Sequence, residues 1–306
     1  MTKNPLILDI KGNSLDDGPG IRTVIFFKGC PLDCVWCQNP ESKRTVAEIA
    51  FDAKECIGCG RCLEVCPEGA LSRENPFYID RDACTLCFTC VEECPARALD
   101  RVGREMTVED IVKAVVRDRP FFNTSGGGVT LSGGEPTLFP DFVSSLLQAL
   151  KGERIHTIIE TCGQFRPDTF ESLMLPYLDA VYFDIKLMDA RLHREYCGVS
   201  NETIVENFVR LKLLCAGRKV VLLPRVPLIT GITERESNLA AIALFLKEQG
   251  APRVQLLPYN PLWHDKTDKI GAANSLRQNA AMTTWLDKKR IEACREIFTR
   301  QGIEVV

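Results

Sequence analysis

Short apolar runs rich in β-branched and aromatic residues recur along this chain at 22–27, 128–131, 155–160, 180–185, 220–223 and 254–257. Helical patterns separate most of them, as they do where strands are buried on both faces by crossover helices. About six such βα units are legible, fewer than the eight of a closed barrel. Between 51 and 104 the apolar periodicity gives way to paired cysteine blocks. These observations predict an α/β protein: a partial (β/α)6 TIM-like barrel carrying a small cysteine-rich insertion.

The elements follow in order. Residues 22–27, Arg-Thr-Val-Ile-Phe-Phe, form a strand that delivers the chain into a first cysteine loop. After the insertion, 107–116 predicts a helix, 128–131 a strand and 140–150 a helix. Strands at 155–160, 180–185, 220–223 and 254–257 then alternate with further helical patterns, notably 203–216 and 234–248. The segment 303–306 is placed to close a sheet edge. A doubly wound sheet is the alternative arrangement of the same units. The expected division is residues 1–50 and 105–306 for the barrel and 51–104 for the insertion, the latter held together by what its cysteines bind.

Composition narrows the function. The chain has 306 residues, 45% hydrophobic and 26% charged, suiting one large soluble domain with a smaller appendage. A net charge of -3 argues against dedicated nucleic-acid binding. No apolar stretch is long enough to cross a bilayer and the N-terminus lacks a secretory pattern, so a cytoplasmic protein without a membrane partner is expected. Of fifteen cysteines, eleven fall in three compact groups between Cys30 and Cys94. Adjacent CxxC steps are poor disulfide material and good thiolate ligands in a reducing compartment; paired zinc sites are the lesser alternative. Cys162, Cys197, Cys215 and Cys294 are scattered and read as small buried apolar residues.

The first group, Cys30, Cys34 and Cys37, places three thiols within eight residues. Three thiolates leave a four-coordinate centre one protein ligand short, which opens a position for a reacting molecule. The other groups, Cys56/Cys59/Cys62/Cys66 and Cys84/Cys87/Cys90/Cys94, both match the bacterial ferredoxin spacing CxxCxxCxxxCP. In that arrangement the fourth cysteine of each run ligates the other cluster. One [4Fe–4S] centre is therefore assigned to Cys56, Cys59, Cys62 and Cys94, and a second to Cys84, Cys87, Cys90 and Cys66. An electron relay and a purely structural insertion both fit this pattern.

Asp17-Gly18-Pro19-Gly20-Ile21-Arg22, followed by Gly29-Cys30 through Cys37-Gln38-Asn39-Pro40, carries a family resemblance. Over nearly its whole length the chain resembles the radical S-adenosylmethionine activating enzymes of glycyl radical enzymes, in the subgroup with an inserted two-cluster ferredoxin-like domain. The resemblance implies three [4Fe–4S] clusters and S-adenosylmethionine as cofactors, with Cys30, Cys34 and Cys37 holding the reactive cluster. Trp36 packs beside that cluster, the adenine or the loop. Gly133, Gly134 and Glu135, after the 128–131 strand, meet the methionine ammonium. Asp184 and Lys186 share a strand face; Lys186 faces the methionine carboxylate and Asp184 a monovalent cation, with Glu160 and Thr161 contributing. Arg225 positions the cofactor. Asn260 stands where many relatives place a nucleoside-contacting histidine, and His264 lies four residues on.

The resemblance further implies that Asp17 contacts a substrate glycine in a large glycyl radical enzyme, from which a hydrogen atom is taken. It implies reduced flavodoxin or ferredoxin as the electron donor. Two other readings share parts of the pattern: a radical S-adenosylmethionine enzyme acting on a small metabolite or another peptide, and an electron-transfer protein related through the cysteine-rich insertion alone.

Overall fold

The computed structural model describes residues 4–273 and 276–306. Its strands are β1 (Leu6–Ser14), β2 (Arg22–Lys28), β3 (Glu48–Phe51), β4 (Leu99–Val102), β5 (Arg104–Glu105), β6 (Gly128–Gly133), β7 (His156–Thr161), β8 (Ala180–Asp184), β9 (Val221–Leu228), β10 (Arg253–Pro258) and β11 (Glu304–Val305). Nine of them form one sheet in the order β11-β10-β9-β8-β7-β6-β2-β1-β5. From β2 through β11 every neighbouring pair is parallel. At the other edge β1 pairs antiparallel with β2, and β5 with β1. The order is linear, with β11 and β5 as its ends, so the result is a mixed α/β sheet consistent with a partial barrel.

The six expected strand segments are all strands. β9 runs on past Pro224 and Pro227 to Leu228, beyond the expected end at 223. β1 was not anticipated. It alternates between partly buried and exposed residues, with Asp9 and Lys11 turned outward, and lacks the continuous apolar run that marks the inner strands.

Of the helices, α1 (Arg61–Val65) and α2 (Thr89–Glu92) lie between β3 and β4. The others are α3 (Val108–Val116), α4 (Arg119–Ser125), α5 (Pro140–Gly152), α6 (Pro167–Leu173), α7 (Ala190–Cys197), α8 (Glu202–Ala216), α9 (Glu236–Glu248), α10 (Trp263–Lys269) and α11 (Lys288–Thr299). α3 starts at a capping box in which Thr107 Oγ1 accepts from the Asp110 N–H and the Asp110 carboxylate accepts from the Thr107 N–H. α5 starts with Pro140, whose missing N–H costs nothing in a first turn.

Ile25, Phe27, Val129, Leu131, Ile159, Val181, Phe183 and Val226 of the sheet pack with Leu146, Leu147 and Leu150 of α5, Phe208 and Leu211 of α8, and Leu239, Ile242 and Leu246 of α9. Each such burial contributes about 1.5–3 kcal/mol. Cys215 and Cys294 belong to this core, as expected of small apolar residues. A second apolar cluster gathers Leu32, Cys34, Trp36, Cys162, Leu187, Cys197, Ile229, Tyr259 and Trp263.

β3 and β4 pair antiparallel, Glu48 with Val102 and Phe51 with Leu99, and so close off the cysteine-rich segment between them. That segment has its own apolar cluster around Ile49, Leu71, Tyr78, Ile79 and Leu99, so apolar packing contributes to it as well as its cysteines. A buried ion pair ties its base to the barrel. Lys28 Nζ, at the end of β2, donates to Glu48 Oε2 at 2.6 Å and to the Glu41 carbonyl at 2.5 Å. Among the described residues, no helix is long and apolar enough to cross a membrane.

Candidate active site and two cysteine-lined cavities

β2 ends at Lys28, and the first cysteine loop leaves from its C-terminal end, the end where parallel barrels present their functional loops. Backbone hydrogen bonds hold this loop on both flanks. Gly29 N donates to Ser42 O at 2.6 Å, Cys30 N to Lys43 O at 3.2 Å, Asp33 N to Cys197 O at 2.8 Å and Val35 N to Tyr196 O at 3.0 Å. Trp36 is buried with its ring tilted against Tyr196, 6.4 Å between centroids; it packs the loop. The Cys37 thiol is pushed up to about 12, first by burial and then by the neighbouring Cys34 and Cys30.

Two further thiols stand beside them. The neighbouring Cys197, followed by the charge of Lys186, lowers the Cys34 thiol pKa against the effect of its burial. Burial, and then the neighbouring Cys30 and Glu135, raise the Cys162 thiol. The sequence reads both as small buried apolar residues, and both are buried in the apolar cluster beside the loop. For Cys162 a signal existed, since it follows Thr161 at the C-terminal end of a parallel strand. For Cys197, at the end of a helix, there was none.

The glycine turn is stitched directly onto the cysteine loop. Gly134 N donates to Phe27 O at 2.8 Å and Glu135 N to Gly29 O at 2.7 Å. Gly133 has φ +100°, and a Cβ on Gly134 would lie 2.1 Å from Gly29 O, so neither position accepts a side chain. Glu135, expected to favour a ligand ammonium, is fully buried. Its carboxylate accepts from Thr137 N (3.2 Å), Thr137 Oγ1 (2.7 Å), Thr161 Oγ1 (3.0 Å) and Cys162 N (2.6 Å). The side chain thus spans the ends of β6 and β7.

At the ends of β7, β8 and β9 two carboxylates face two cations. Arg225 Nε donates to Asp184 Oδ1 at 2.9 Å and Nη1 donates to Glu160. Lys186 Nζ donates to Asp184 Oδ2 at 3.0 Å, and Ser132 Oγ donates to Glu160 at 2.6 Å. Burial works against the charge of Lys186, but Asp184 and then the Cys34, Cys162 and Cys197 sulfurs outweigh it and hold the ammonium above its usual range. Burial likewise opposes the Arg225 charge and is outweighed by Asp184 and Glu160. The cluster is charge-balanced as it stands, so a cation at Asp184 has to displace Lys186 or Arg225.

Asp17 lies in the loop before β2. Its carboxylate accepts from Ser14 Oγ and its carbonyl from Thr130 Oγ1 at 2.7 Å. Its charge is felt by both Arg22 and Glu160. Arg22 is fully buried and donates from Nε to Thr130 Oγ1 at 2.6 Å; burial lowers its pKa to about 10 against the pull of Tyr182 and Asp17. Asn260 is engaged locally: Oδ1 accepts from Leu262 N at 2.9 Å and its carbonyl accepts from Gln38 Nε2 at 3.0 Å, a direct link to the cysteine loop. His264 is buried, stacked on Trp263, with Nε2 2.6 Å from Met282 O, so it does not substitute for a ligand-facing histidine.

In the segment between β3 and β4, one small pocket is lined by Cys56, Cys59, Cys62 and Cys94 with Phe51, Tyr78 and Leu99. A second is lined by Cys66, Cys84, Cys87 and Cys90 with Ile49, Leu71 and Ile79. Each pocket is lined by three cysteines of one run and the fourth cysteine of the other. Polar hydrogens reach several sulfurs: Tyr78 OH lies 3.0 Å from Cys62 Sγ, Ala70 N donates to Cys66 Sγ at 3.3 Å and Thr89 Oγ1 to Cys87 Sγ at 3.5 Å. The two runs share a backbone trick. Gly58 and Gly60 in the first, and Leu86 and Phe88 at the same offsets in the second, all adopt left-handed φ of +57° to +78°. Among the described residues, no three His, Cys, Asp or Glu side chains converge closely enough to hold a single metal ion.

The sequence model of the Radical SAM superfamily matches residues 24–236. The chain is 43% identical over 267 residues to the isethionate sulfite-lyase activating enzyme of Nitratidesulfovibrio vulgaris, covering 85% of this chain and 86% of the relative. It is 40% identical over 271 residues to the trans-4-hydroxy-L-proline dehydratase activating enzyme of Clostridioides difficile, covering 87% and 88%. A radical SAM methyltransferase from Sphaerobacter thermophilus, 14% identical, shares the fold with a TM-score of 0.55 over 98% of this chain and 76% of that one. The chain therefore belongs to the radical SAM superfamily, within its glycyl-radical-enzyme activating enzymes, and is a radical S-adenosylmethionine oxidoreductase of that class.

Proposed function

We propose that this activating enzyme holds a [4Fe–4S] cluster on Cys30, Cys34 and Cys37, binds S-adenosylmethionine over it, and takes a hydrogen atom from a glycine of a partner glycyl radical enzyme. The observation that carries the reading is the meeting of the three-thiol loop, the Gly133–Gly134 turn and the Asp184/Lys186/Arg225 charges around one end of an open parallel sheet. When bound, the cluster supplies the electron that cleaves the sulfonium to methionine and a 5'-deoxyadenosyl radical.

This chain's own residues bind, orient and shield. The carbonyls of Gly133 and Gly134 accept from the methionine ammonium. Lys186 turns from Asp184 to the methionine carboxylate; Asp184 then keeps Arg225 or takes a monovalent cation. Arg225 fixes the strand ends against one another. The apolar cluster of Leu32, Trp36, Leu187 and Ile229 keeps water from the sulfurs. Trp36 and Asn260 shape the loop beneath the nucleoside, and Asp17 faces the glycine to be activated, close approach being what hydrogen transfer demands.

Residues 51–104 are proposed as a ferredoxin-like domain with two further [4Fe–4S] clusters in the two cavities. Their buried apolar walls and sulfur-directed donors suit anionic clusters, and cubanes spread their ligands wider than a single ion does. Reduced flavodoxin or ferredoxin is the proposed electron donor and the cytoplasm the proposed location. Relatives of nearly equal identity serve a sulfite-lyase and a dehydratase, which supports the partner's class and names no single partner.

The test is anaerobic reduction of reconstituted protein with S-adenosylmethionine and purified candidate partners. Formation of 5'-deoxyadenosine together with a partner-centred glycyl radical by electron paramagnetic resonance is expected, and Cys34→Ala should abolish both. Direct turnover of a small metabolite, or cleavage surviving in Cys34→Ala, overturns the reading.

A further inference from the structure

We propose that electrons enter this protein at the first cysteine run. An acidic one-electron carrier protein docks over Ile57 and Arg73. It reduces the cluster on Cys56, Cys59, Cys62 and Cys94 by one electron and is itself oxidised by one. That cluster then passes the electron inward to the one on Cys66, Cys84, Cys87 and Cys90. This rests on the two-cluster reading of residues 51–104 made above, and gives it a direction.

The two runs share their spacing and their left-handed backbone but are covered differently. Where the first run has Gly58 and Gly60, the second has Leu86 and Phe88. Glycine adopts this conformation freely, whereas bulky side chains are strained in it. The second run accepts the strain, and both side chains pack against the apolar cluster of Ile49, Leu71 and Ile79. The Arg101 guanidinium lies 4.4 Å above the Phe88 ring and covers it further. The first run is bare. Residues 53–59 are exposed without a break, Cys56 and Cys59 among them. A Cβ on Gly58 would meet nothing within 4 Å, and Ile57, between the two ligands, is 69% exposed. In the second set only Cys87 is exposed.

Charge selects the carrier. Arg73 is exposed and its Nη2 donates to the Gly58 carbonyl at 2.7 Å, which fixes a positive charge on the open loop. Lys54 and Arg61 are matched by Asp265 and Glu93. The second pocket is lined by Glu68. An acidic surface is therefore drawn to the first run and turned away from the second, and such complementarity acts chiefly on encounter rate and register. Ile57 gives the contact an apolar centre inside a polar rim.

The β3–β4 ladder sets the inward order. Ile49, which lines the second pocket, follows Glu48, and Glu48 holds Lys28, the residue before Gly29 and Cys30. Phe51 and Leu99, which line the first pocket, pair at the other end of the ladder. The second pocket thus shares a strand end with the anchor of the three-thiol loop, and the first does not.

The test uses the full-length reconstituted protein, with purified reduced flavodoxin as the probe and dithionite as a reductant too small to need a docking face. Stopped-flow absorbance gives the rate of reduction by each in wild type, Ile57→Asp, Arg73→Glu, Arg73→Lys and Leu213→Asp, the last at an exposed position on α8. Iron content and the dithionite rate should match wild type throughout. With flavodoxin at low salt the rate should fall at least about tenfold in Ile57→Asp and Arg73→Glu and stay near wild type in the other two. The Arg73→Glu deficit should shrink as salt is raised. An unchanged flavodoxin rate in Ile57→Asp or Arg73→Glu, or an equal fall in Leu213→Asp, overturns the inference. For the direction, Cys59→Ala should be reduced by flavodoxin at least about tenfold more slowly than wild type, while Cys87→Ala should still take its first electron at the wild-type rate. The reverse pattern overturns the inference as well. A wild-type protein holding no iron beyond that of the three-thiol loop instead defeats the two-cluster reading.

Discussion

Replacing Arg225 with methionine isolates the charge balance at the strand ends. The guanidinium is 8% exposed and lies between Glu160 and Asp184, which are themselves 11% and 21% exposed. Coulomb's law at an effective dielectric of about 20 puts the attraction across the 2.9 Å Arg225–Asp184 contact at about 6 kcal/mol. Dehydrating the groups offsets much of that. Removing one member leaves the rest dehydrated without compensation, and the cost of breaking a buried pair this way is about 3–5 kcal/mol. For a protein of this size that lowers the melting midpoint by on the order of 10 °C.

The pH dependence separates this explanation from lost packing. Burial already holds the Glu160 carboxyl above its ordinary range, and Arg225 is the chief opposing influence. Without Arg225 the folded-state pKa rises further, so the folded protein binds a proton the unfolded chain has released. Stability of Arg225→Met is then lost as pH rises above the usual carboxylate range, and its deficit against wild type is largest near pH 8 and shrinks toward pH 5. Adding Glu160→Gln to Arg225→Met should recover part of the loss at pH 8. Anaerobic thermal melts across that range provide the assay. A deficit under about 1 kcal/mol at pH 8, or one that does not shrink toward pH 5, refutes the reasoning.

Gly134→Ala forces a Cβ to within 2.1 Å of Gly29 O, backbone against backbone; the melting midpoint should fall and iron on the three-thiol loop should drop, as read by the signal responsive to S-adenosylmethionine. If the crossed assignment holds, Cys94→Ala should deplete the same cluster as Cys59→Ala, from the other run, each losing about one third of the iron; matching residual spectra, distinct from that of Cys87→Ala, are the check. His193 is buried, its pKa lowered chiefly by that burial and its Nδ1–H donating to Val199 O at 2.6 Å. Because the unfolded chain takes up the proton first, the stability this residue contributes is complete above the ordinary imidazole pKa of about 6.5 and is lost as pH falls from there toward the lowered folded value. Melts of His193→Gln should accordingly be flatter between pH 7 and pH 5 than those of wild type.

The parallel strands of the sheet were legible because they are buried on both faces and therefore read as unbroken apolar runs, as at Val129–Leu131 and Val181–Phe183. β1 escaped for the same reason inverted: its outer face is wet and its sequence alternates. Spacing along the chain predicts a crossed pairing of the cysteine runs, and the two pockets are each lined by three cysteines of one run and the fourth of the other. Contacts between distant segments were not legible. Lys28 and Glu48 are ordinary charges in the sequence and form a buried pair only through the meeting of β2 and β3. Glu135 stands out by its motif, but its partners Thr137, Thr161 and Cys162 could not be read from it, because a motif identifies a residue without saying which of its neighbours its oxygens will face.

The inward turn of Glu135 makes the site mechanically continuous. One oxygen accepts from Cys162 N and the other from Thr137 and Thr161, so the carboxylate joins the glycine turn to the end of β7. Cys162 in turn meets Cys30, and the backbone of the same turn hangs from Phe27 and Gly29. The glycine turn, the end of β7 and the start of the cysteine loop are thus tied together by hydrogen bonds within one buried patch. On the opposite flank α7 holds Cys34 by the same kind of backbone pairing. A loop of only eight residues between Cys30 and Cys37 cannot rigidify three thiols by itself. Here two independent parts of the barrel, the β6–β7 strand ends and the α7 terminus, each grip a different cysteine, and the spacing between the sulfurs is inherited from the spacing of the scaffold.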